Sequence, residues 1–308
     1  MRNSCIKVIE EASRFNNDII LMTGDLGYGV LNNYSRLFPE QYINAGIAEE
    51  NMTSVAAGLA LEGKCVFTYS IGNFCTLRCM EQIRNDICYH NANVKIISLA
   101  AGFAYGNLGM SHHATEDIAC MRSLPNMTVF SPCDPLEAVA VTNAALKIKG
   151  PCFIRLGRGG EPCLRESFNL DDFVVGKGYG IIENGKDIVI FTTGSIAIEA
   201  KKAAEYLNGN GYHVSLYTFP TIKPLSKEFV LNCLNDNSFV ITVEEHQING
   251  GFGGAIAEIL AESGCKVTLK RIGLNDSFTS IIGSTEYLRK VYGLDSEAII
   301  NAVKDYIR

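Results

Sequence analysis

The sequence predicts an α/β protein with two doubly wound domains, in which mainly parallel strands alternate with covering helices. First, short apolar runs recur along the 308 residues, and residues 94–101 form an almost unbroken one. Continuous apolar strands of this kind are typical of parallel sheets that are buried on both faces. Second, segments with helical periodicity separate these runs. Third, the alternation stops in a glycine-rich stretch and then restarts, which indicates a second domain.

The first predicted domain covers residues 1–165. We predict helices at 5–15, 47–61, 74–88, 115–122 and 135–148, and strands at 18–23, 41–44, 65–69, 94–101, 127–130 and 152–156. These strands are rich in β-branched and apolar residues and are bounded by turn-forming residues, as buried strands are.

A linker is predicted at residues 166–186, because four glycines and little periodicity indicate loops with a β-ribbon. The smaller C-terminal domain then covers residues 187–308. In it we predict strands at 187–192, 213–217, 239–244 and 266–272, and helices at 196–207, 253–261, 284–292 and 296–307.

Composition excludes several classes of partner. The net charge is −6, so there is no basic footprint for nucleic acid. No apolar run approaches membrane-spanning length, and the first residues lack the apolar core of a signal peptide. The eleven cysteines include no CxxC pair, and most lie in apolar runs, so buried free thiols in a reducing compartment are expected. Cys75 and Cys79 share a helix face, yet no further ligands are placed for zinc, and we predict no metal site. The predicted location is the cytoplasm.

The string GIAEENM (residues 46–52) joins a short extended run to an alanine-rich helical pattern. Glu49 therefore falls in the first turn of a helix whose remaining residues are apolar. A carboxylate at that position also complements the helix dipole, so a purely structural role stays open here.

Two glycine clusters invite a ligand interpretation. GDLGYG (residues 24–29) follows a strand, but its spacing is GxxGxG rather than GxGxxG, so a tight turn is predicted. GGFGG (250–254) opens a helix after EEH (244–246). Backbone N–H groups there are able to hold an anion, although we interpret the cluster as structural.

Two further segments carry candidate chemistry. FCTLRCMEQIR (residues 74–84) combines an aromatic with a helix that contains several charged residues. GMSHHATED (109–117) places two of the five histidines side by side, after a strand end where open α/β sheets bind their ligands. With GIAEENM and EEH…GGFGG, these strings resemble the pyrimidine-binding and C-terminal domains of transketolases over the whole chain.

The resemblance implies a cofactor site for thiamine diphosphate. Glu49 would bond the aminopyrimidine ring and, as the catalytic carboxyl, share a proton with it. Phe74 would stack on that ring, as a flat heterocycle requires. Many members carry a second aromatic where this chain has Ile71, so either Tyr69 compensates or one wall of the slot is aliphatic. Asp25, at the end of a strand, would lie beside the cofactor.

On the substrate side, His112 would act as the catalytic proton carrier, with His113 beside it on the substrate. Arg158, and Arg2 at the start of the domain, match family residues that bind a substrate phosphate. Two polar family residues that contact substrate hydroxyls are replaced. Leu108 stands where transketolases carry Asp and Ala100 where they carry His, so an unusual sugar is expected.

The family's N-terminal domain holds Mg²⁺ and the diphosphate through a GDG motif, which this chain lacks. The resemblance therefore implies the C-terminal subunit of a split transketolase that transfers a two-carbon ketol unit from a ketose or ketose phosphate to an aldose. An N-terminal partner subunit would carry the GDG site in an α2β2 assembly. Two alternatives stay open, namely the β subunit of a 2-oxo acid dehydrogenase and a non-catalytic binding subunit that kept the fold.

Overall fold

The structure, a computed structural model, describes residues 1–235 and 238–307. It contains a seven-stranded and a five-stranded sheet, each mainly parallel and flanked by helices. The predicted fold class, α/β with two doubly wound domains, is confirmed.

The strands are β1 (Ile19–Thr23), β2 (Tyr42–Asn44), β3 (Cys65–Ile71), β4 (Val94–Leu99), β5 (Thr128–Phe130), β6 (Cys152–Arg155), β7 (Tyr179–Ile182), β8 (Ile188–Thr192), β9 (Val214–Thr218), β10 (Thr221–Lys223), β11 (Phe239–Gln247) and β12 (Thr268–Leu274). The helices are α1 (Arg2–Ser13), α2 (Asn32–Leu37), α3 (Glu49–Leu61), α4 (Gly72–Cys75), α5 (Met80–Gln82), α6 (Asp117–Ser123), α7 (Pro135–Lys147), α8 (Ala197–Gly209), α9 (Lys227–Asn232), α10 (Phe252–Ser263), α11 (Thr285–Val291) and α12 (Ser296–Ile307).

The first sheet has the order β10-β5-β6-β4-β3-β1-β2, and only β10 runs antiparallel to its neighbour. From β1 the chain moves outward to β2 at one edge, whereas β3 leads to β4 on the other side. The strand order therefore reverses between β1 and β3. Open α/β sheets bind ligands outside the carboxyl ends of their strands at such a switch point.

The second sheet has the order β12-β11-β8-β9-β7, and β7 is antiparallel to β9. β7 lies in the predicted linker, and β10, from the second half of the chain, completes the edge of the first sheet. The apolar core of the first domain also continues into Val189, Phe191 and Phe252 of the second. The two domains thus share packing as well as a strand.

The helix predicted at 74–88 is broken into three pieces. α4 ends at Cys75, α5 starts at Met80, and a π-helix follows over Ile83–Cys88. The Thr76 hydroxyl donates to the carbonyl oxygen of Gly72 at 2.7 Å, and such side-chain bonds compete with a regular helix. α2 and α9 were not predicted, because each is only one and a half turns long.

All eleven cysteines are free, and eight of them are buried. Burial raises the pKa of Cys79 and of Cys152 to about 11, so both are thiols at neutral pH. Within residues 1–235 and 238–307 no group of three or more His, Cys, Asp or Glu side chains is arranged to hold a metal ion. In the same ranges no helix is long and apolar enough to cross a membrane.

Candidate active site

Glu49 is the first residue of α3 and lies at the switch point between β1 and β3. Its side chain is only 2% exposed. Ser70 on β3 donates to Oε1 at 3.1 Å, and Nη1 of Arg78 lies 2.9 Å from Oε2. A Cβ at Gly24, just after β1, would come to 3.4 Å from Oε1, so the carboxylate packs directly on the end of that strand. Each carboxylate oxygen therefore has one hydrogen-bond donor, and Arg78 compensates the buried charge.

An aromatic row runs from this carboxylate along the carboxyl edge of the first sheet. Arg78 places its Cζ 4.7 Å from the centroid of the Phe74 ring. Phe74 meets the His112 ring edge-on at 5.2 Å, and His112 meets Tyr105 at 6.3 Å. Arg158 closes the row with its Cζ 5.5 Å from the Tyr105 ring. The structure thus brings together Phe74, His112 and Arg158, which the sequence named separately.

Ile71 and Tyr69, the two candidates for a second wall beside Phe74, both lie on β3. Ile71 is the last residue of that strand and is half-buried. Tyr69 does not compensate, because its side chain is enclosed elsewhere in the first domain. The Tyr69 ring is fully buried against α1 on the far side of the sheet, among Cys5 and Ile9.

His112 is half-buried, and its Nδ1 lies 3.0 Å from Oγ of Ser111. Within the described residues, Ser111 is the hydrogen-bond partner that the structure gives to the His112 ring, and it contacts Nδ1. His113 differs, since it is 1% exposed and both of its nitrogens are engaged. Nε2 donates to the Gly106 carbonyl at 3.1 Å, so Nδ1 accepts from the Thr279 hydroxyl at 2.6 Å. The substrate contact predicted for His113 has no free polar atom to make it, and we leave His113 out of the site.

Arg2 lies beside the loop that carries Arg158. A Cβ at Gly159 would come to 3.7 Å from Nη2 of Arg2, so α1 delivers its first residue to this end of the row. Arg158 also lines an interdomain cleft of about 620 Å³, together with Asn107 and Lys202. The two predicted anion-binding arginines are therefore neighbours.

Asp25 stands at the end of β1 with a left-handed backbone, φ 55°. Asn44 donates to its Oδ1 at 2.9 Å, and the Tyr28 hydroxyl does so at 3.2 Å, which raises the pKa of Tyr28. Ala100, just after β4, also has a positive φ of 62°. Such backbone outside glycine is costly, and here it flanks β3 on both sides.

The two replaced positions supply no polar group. Leu108 is 51% exposed, and Ala100 is fully buried. Tyr105 lies between His112 and Arg158 instead, and the sequence reasoning missed it because nothing in the spacing sets it apart from a core aromatic. Asn73 was also missed. Its Nδ2 donates to the carbonyls of Ser111 at 3.2 Å and of His113 at 3.0 Å, on both sides of His112.

The EEH segment forms a buried junction. Glu244 accepts hydrogen bonds from the backbone N–H groups of Phe252 at 2.7 Å and Gly253 at 2.8 Å, so a carboxyl group of this chain already occupies the helix start at GGFGG. Burial raises the pKa of Glu244 to about 7. His246 accepts the N–H of Ala119 at Nε2, and burial lowers its pKa to about 4, so it is neutral. The cluster is structural.

The fold is that of a two-domain α/β protein with parallel sheets. Its candidate site, at the carboxyl edge of the first sheet, combines a buried carboxylate, an aromatic ring and a histidine. Residues 1–160 match the pyrimidine-binding domain of transketolase, and residues 178–299 match the transketolase C-terminal domain. The chain belongs to the transketolase family and corresponds to the C-terminal section of split transketolases.

Individual relatives agree with this assignment. The chain is 38% identical to a putative transketolase C-terminal section from Methanocaldococcus jannaschii, over 98% of this chain and 94% of that one. It is 38% identical to one subunit of an apulose-4-phosphate transketolase from Actinobacillus succinogenes, over 86% and 84%. It is 34% identical to a 6-deoxy-6-sulfo-D-fructose transketolase subunit from a Clostridium species, over 99% and 94%.

A solved split-gene transketolase, described as an inactive β4 tetramer, superposes with a TM-score of 0.87 at 36% identity, covering 99% of this chain and 97% of that one. Transketolase structures from Pichia stipitis superpose with a TM-score of 0.83 at 21% identity and are covered over 45% of their length, which shows the fold alone.

Proposed function

We propose that this chain is the C-terminal subunit of a thiamine diphosphate-dependent transketolase. It would transfer a two-carbon ketol unit from a ketose to an aldose, in an active site completed by an N-terminal partner chain. The observation that carries the proposal is the buried Glu49 carboxylate at the switch point, with Phe74 and His112 in one row beside it. A helix-dipole role alone would not require burial of the charge.

The residues fit an aminopyrimidine ring. Each Glu49 oxygen accepts one bond, from Ser70 or from Arg78, and a carboxylate oxygen has room for a second donor. Phe74 offers a half-buried aromatic face, and Ile71 an aliphatic wall. When bound, thiamine diphosphate supplies the carbon nucleophile and the electron sink for breaking the C–C bond. Glu49 would accept a hydrogen bond from the ring nitrogen and share its proton.

The substrate would lie along the rest of the aromatic row. His112 presents Nε2 to the reacting carbonyl and hydroxyl and moves protons there. Arg158 and Arg2 bind a terminal anionic group, for which a guanidinium fork is suited. The Tyr105 hydroxyl, between these ends, takes over contacts with substrate hydroxyls that Leu108 and Ala100 do not make. The preferred substrate is therefore a ketose with an anionic end. The relatives are named for different sugars, which is consistent with variation in the part of the substrate between the reacting carbonyl and that end.

The partner chain would hold Mg²⁺ and the diphosphate and would cover the face around Glu49. Large apolar side chains are exposed in the segments that flank the site in sequence, and exposed apolar surface of this kind marks interaction sites. They are Tyr28 and Ile47, each 80% exposed, Leu77, 43% exposed, and Val55, 42% exposed. The β4 tetramer described for the split relative supports self-association of this chain within an α2β2 assembly. The free, mostly buried cysteines support a reducing location such as the cytoplasm.

Reconstitution tests this proposal. The purified chain alone is expected to bind thiamine diphosphate weakly and to show no ketol transfer, because it holds only the pyrimidine side of the site. Adding the N-terminal partner restores both, as measured by calorimetry and by transfer from a ketose phosphate or from 3-hydroxypyruvate. The partner alone is the control. Robust turnover by this chain without a partner contradicts the proposal.

A further inference from the structure

The loop of residues 102–114, here called the histidine loop, carries both Tyr105 and His112. Gly102 and Ala114 close its base with two backbone hydrogen bonds of 3.0 and 3.1 Å. Its tip is open, since Leu108 and Met110 are 51% and 54% exposed. Few buried contacts within a loop leave it free to fluctuate, so its order depends on what holds it from outside.

The C-terminal domain holds the first part of this loop. Phe103 is fully buried and packs in the core of that domain, with Ile190 and Leu288. Its backbone N–H donates to Oε1 of Glu245 at 2.7 Å, and its carbonyl accepts from the Thr285 hydroxyl at 3.0 Å. Both backbone groups of a first-domain residue are thus bonded by the second domain.

The same domain holds the end of the loop. His113, next to His112, is bonded by the buried Thr279 hydroxyl at 2.6 Å. Gly283 donates from its backbone to the Gly106 carbonyl at 3.2 Å. A Cβ at Gly106 would come to 2.5 Å from Leu288 Cδ1, so no side chain larger than hydrogen fits between loop and domain.

We propose that the C-terminal domain positions His112 for the reaction, and that Thr279 and Glu245 are its positioning residues. This inference rests on the role proposed above for His112. The hydrogen bonds to Phe103 and to His113 lie on both sides of Tyr105 and His112 in the chain. The C-terminal domain therefore fixes the position of the loop segment that carries these two side chains. Asn73 of the first domain also donates hydrogen bonds to the carbonyls that flank His112. The C-terminal domain has no residue in the aromatic row, yet it contributes in this way to the geometry of the reaction.

Thr279→Val tests the proposal in the reconstituted complex. The change keeps the shape and leaves Nδ1 of His113 buried without a donor. It is expected to lower kcat roughly tenfold if about 1.4 kcal/mol of the cost of the unsatisfied nitrogen is expressed as misplacement of His112, with KM for the donor and thiamine diphosphate affinity unchanged. In the chain alone, amide hydrogen exchange should become faster within residues 103–113 and stay the same in β1 and β3. Thr279→Ser restores both readouts.

Thr242→Val is the matched control, because this buried Thr of the same domain has a hydroxyl without a partner among the described residues. It should change neither readout. If Thr279→Val folds poorly, Thr285→Val carries the same test through the carbonyl of Phe103. Unchanged kcat or unchanged loop exchange overturns the proposal. A wild-type complex without ketol transfer contradicts the proposed function instead, while the exchange measurement still decides whether the domain orders the loop.

Discussion

At the scale of single residues, the two charges at the ends of the aromatic row are treated differently. Glu49 is buried, and Arg78, 29 positions further along the chain, neutralises it. Arg158 is exposed and packs against the Tyr105 ring, while the neighbouring carboxylate of Glu161 accepts the Gly159 N–H at 2.8 Å. The charge of Glu49 is therefore buried and paired within the protein, whereas the charge of Arg158 is accessible to a ligand from solvent.

Arg158→Ala is therefore expected to distinguish phosphorylated from unphosphorylated donors. In the reconstituted complex it is expected to raise KM for a phosphorylated ketose on the order of tenfold to hundredfold, the worth of a charge-assisted hydrogen bond. KM for 3-hydroxypyruvate should stay within about twofold, because this donor has no phosphate with which Arg158 could form a charge-assisted hydrogen bond. Steady-state kinetics with both donors provide the measurement. Arg36→Ala, at an exposed arginine bonded to Asn33, is the control. Equal changes for both donors would place the anion elsewhere.

At the scale of elements, sequence periodicity predicted the strands of both sheets well, because apolar runs report burial directly. It failed at the helix predicted at 74–88, where the backbone of Thr76, with φ −120° and ψ −81°, leaves the helical region. It also failed for β10, since a three-residue strand that crosses to another domain has no local signal. Motif resemblance named Glu49, Phe74 and His112, whereas Tyr105 and Asn73 depend on contacts that only the folded chain shows.

The EEH junction makes one element-scale prediction about pH. Burial lowers the pKa of His246 from 6.5 to about 4. The folded state then binds fewer protons than the unfolded state between these values, so stability falls as the pH drops from 6.5 toward 4, by up to about 3 kcal/mol. His246→Gln removes this titration, and its free energy of unfolding should fall less than that of the wild type over this range.

Urea unfolding of both proteins at several pH values measures the difference. Glu244 acts in the opposite sense, because its raised pKa favours the protonated folded state. His90→Gln, at an exposed histidine, is the control. Parallel curves for wild type and His246→Gln would show that His246 is not held neutral by burial.

At the scale of the whole molecule, the proposed function makes this chain one half of an active site. The first sheet provides the switch point, α3 provides the carboxylate, and the second domain grips the histidine loop at Phe103 and His113. The exposed apolar face around Ile47 is where the other half would dock. This division explains how a chain that corresponds to only part of a full-length transketolase keeps a defined site.

Hydrogen–deuterium exchange at C2 of thiamine diphosphate in the reconstituted complex tests the central claim most directly. Glu49→Gln keeps the shape of the side chain but cannot share a proton with the ring, and Arg78, 44% exposed, stays solvated. Exchange should slow by roughly 10²–10⁴, the usual contribution of a positioned acid or base. Glu50→Gln, at the exposed neighbour, should exchange at nearly the wild-type rate. Normal exchange in Glu49→Gln, or slow exchange in Glu50→Gln instead, would contradict the assignment of Glu49.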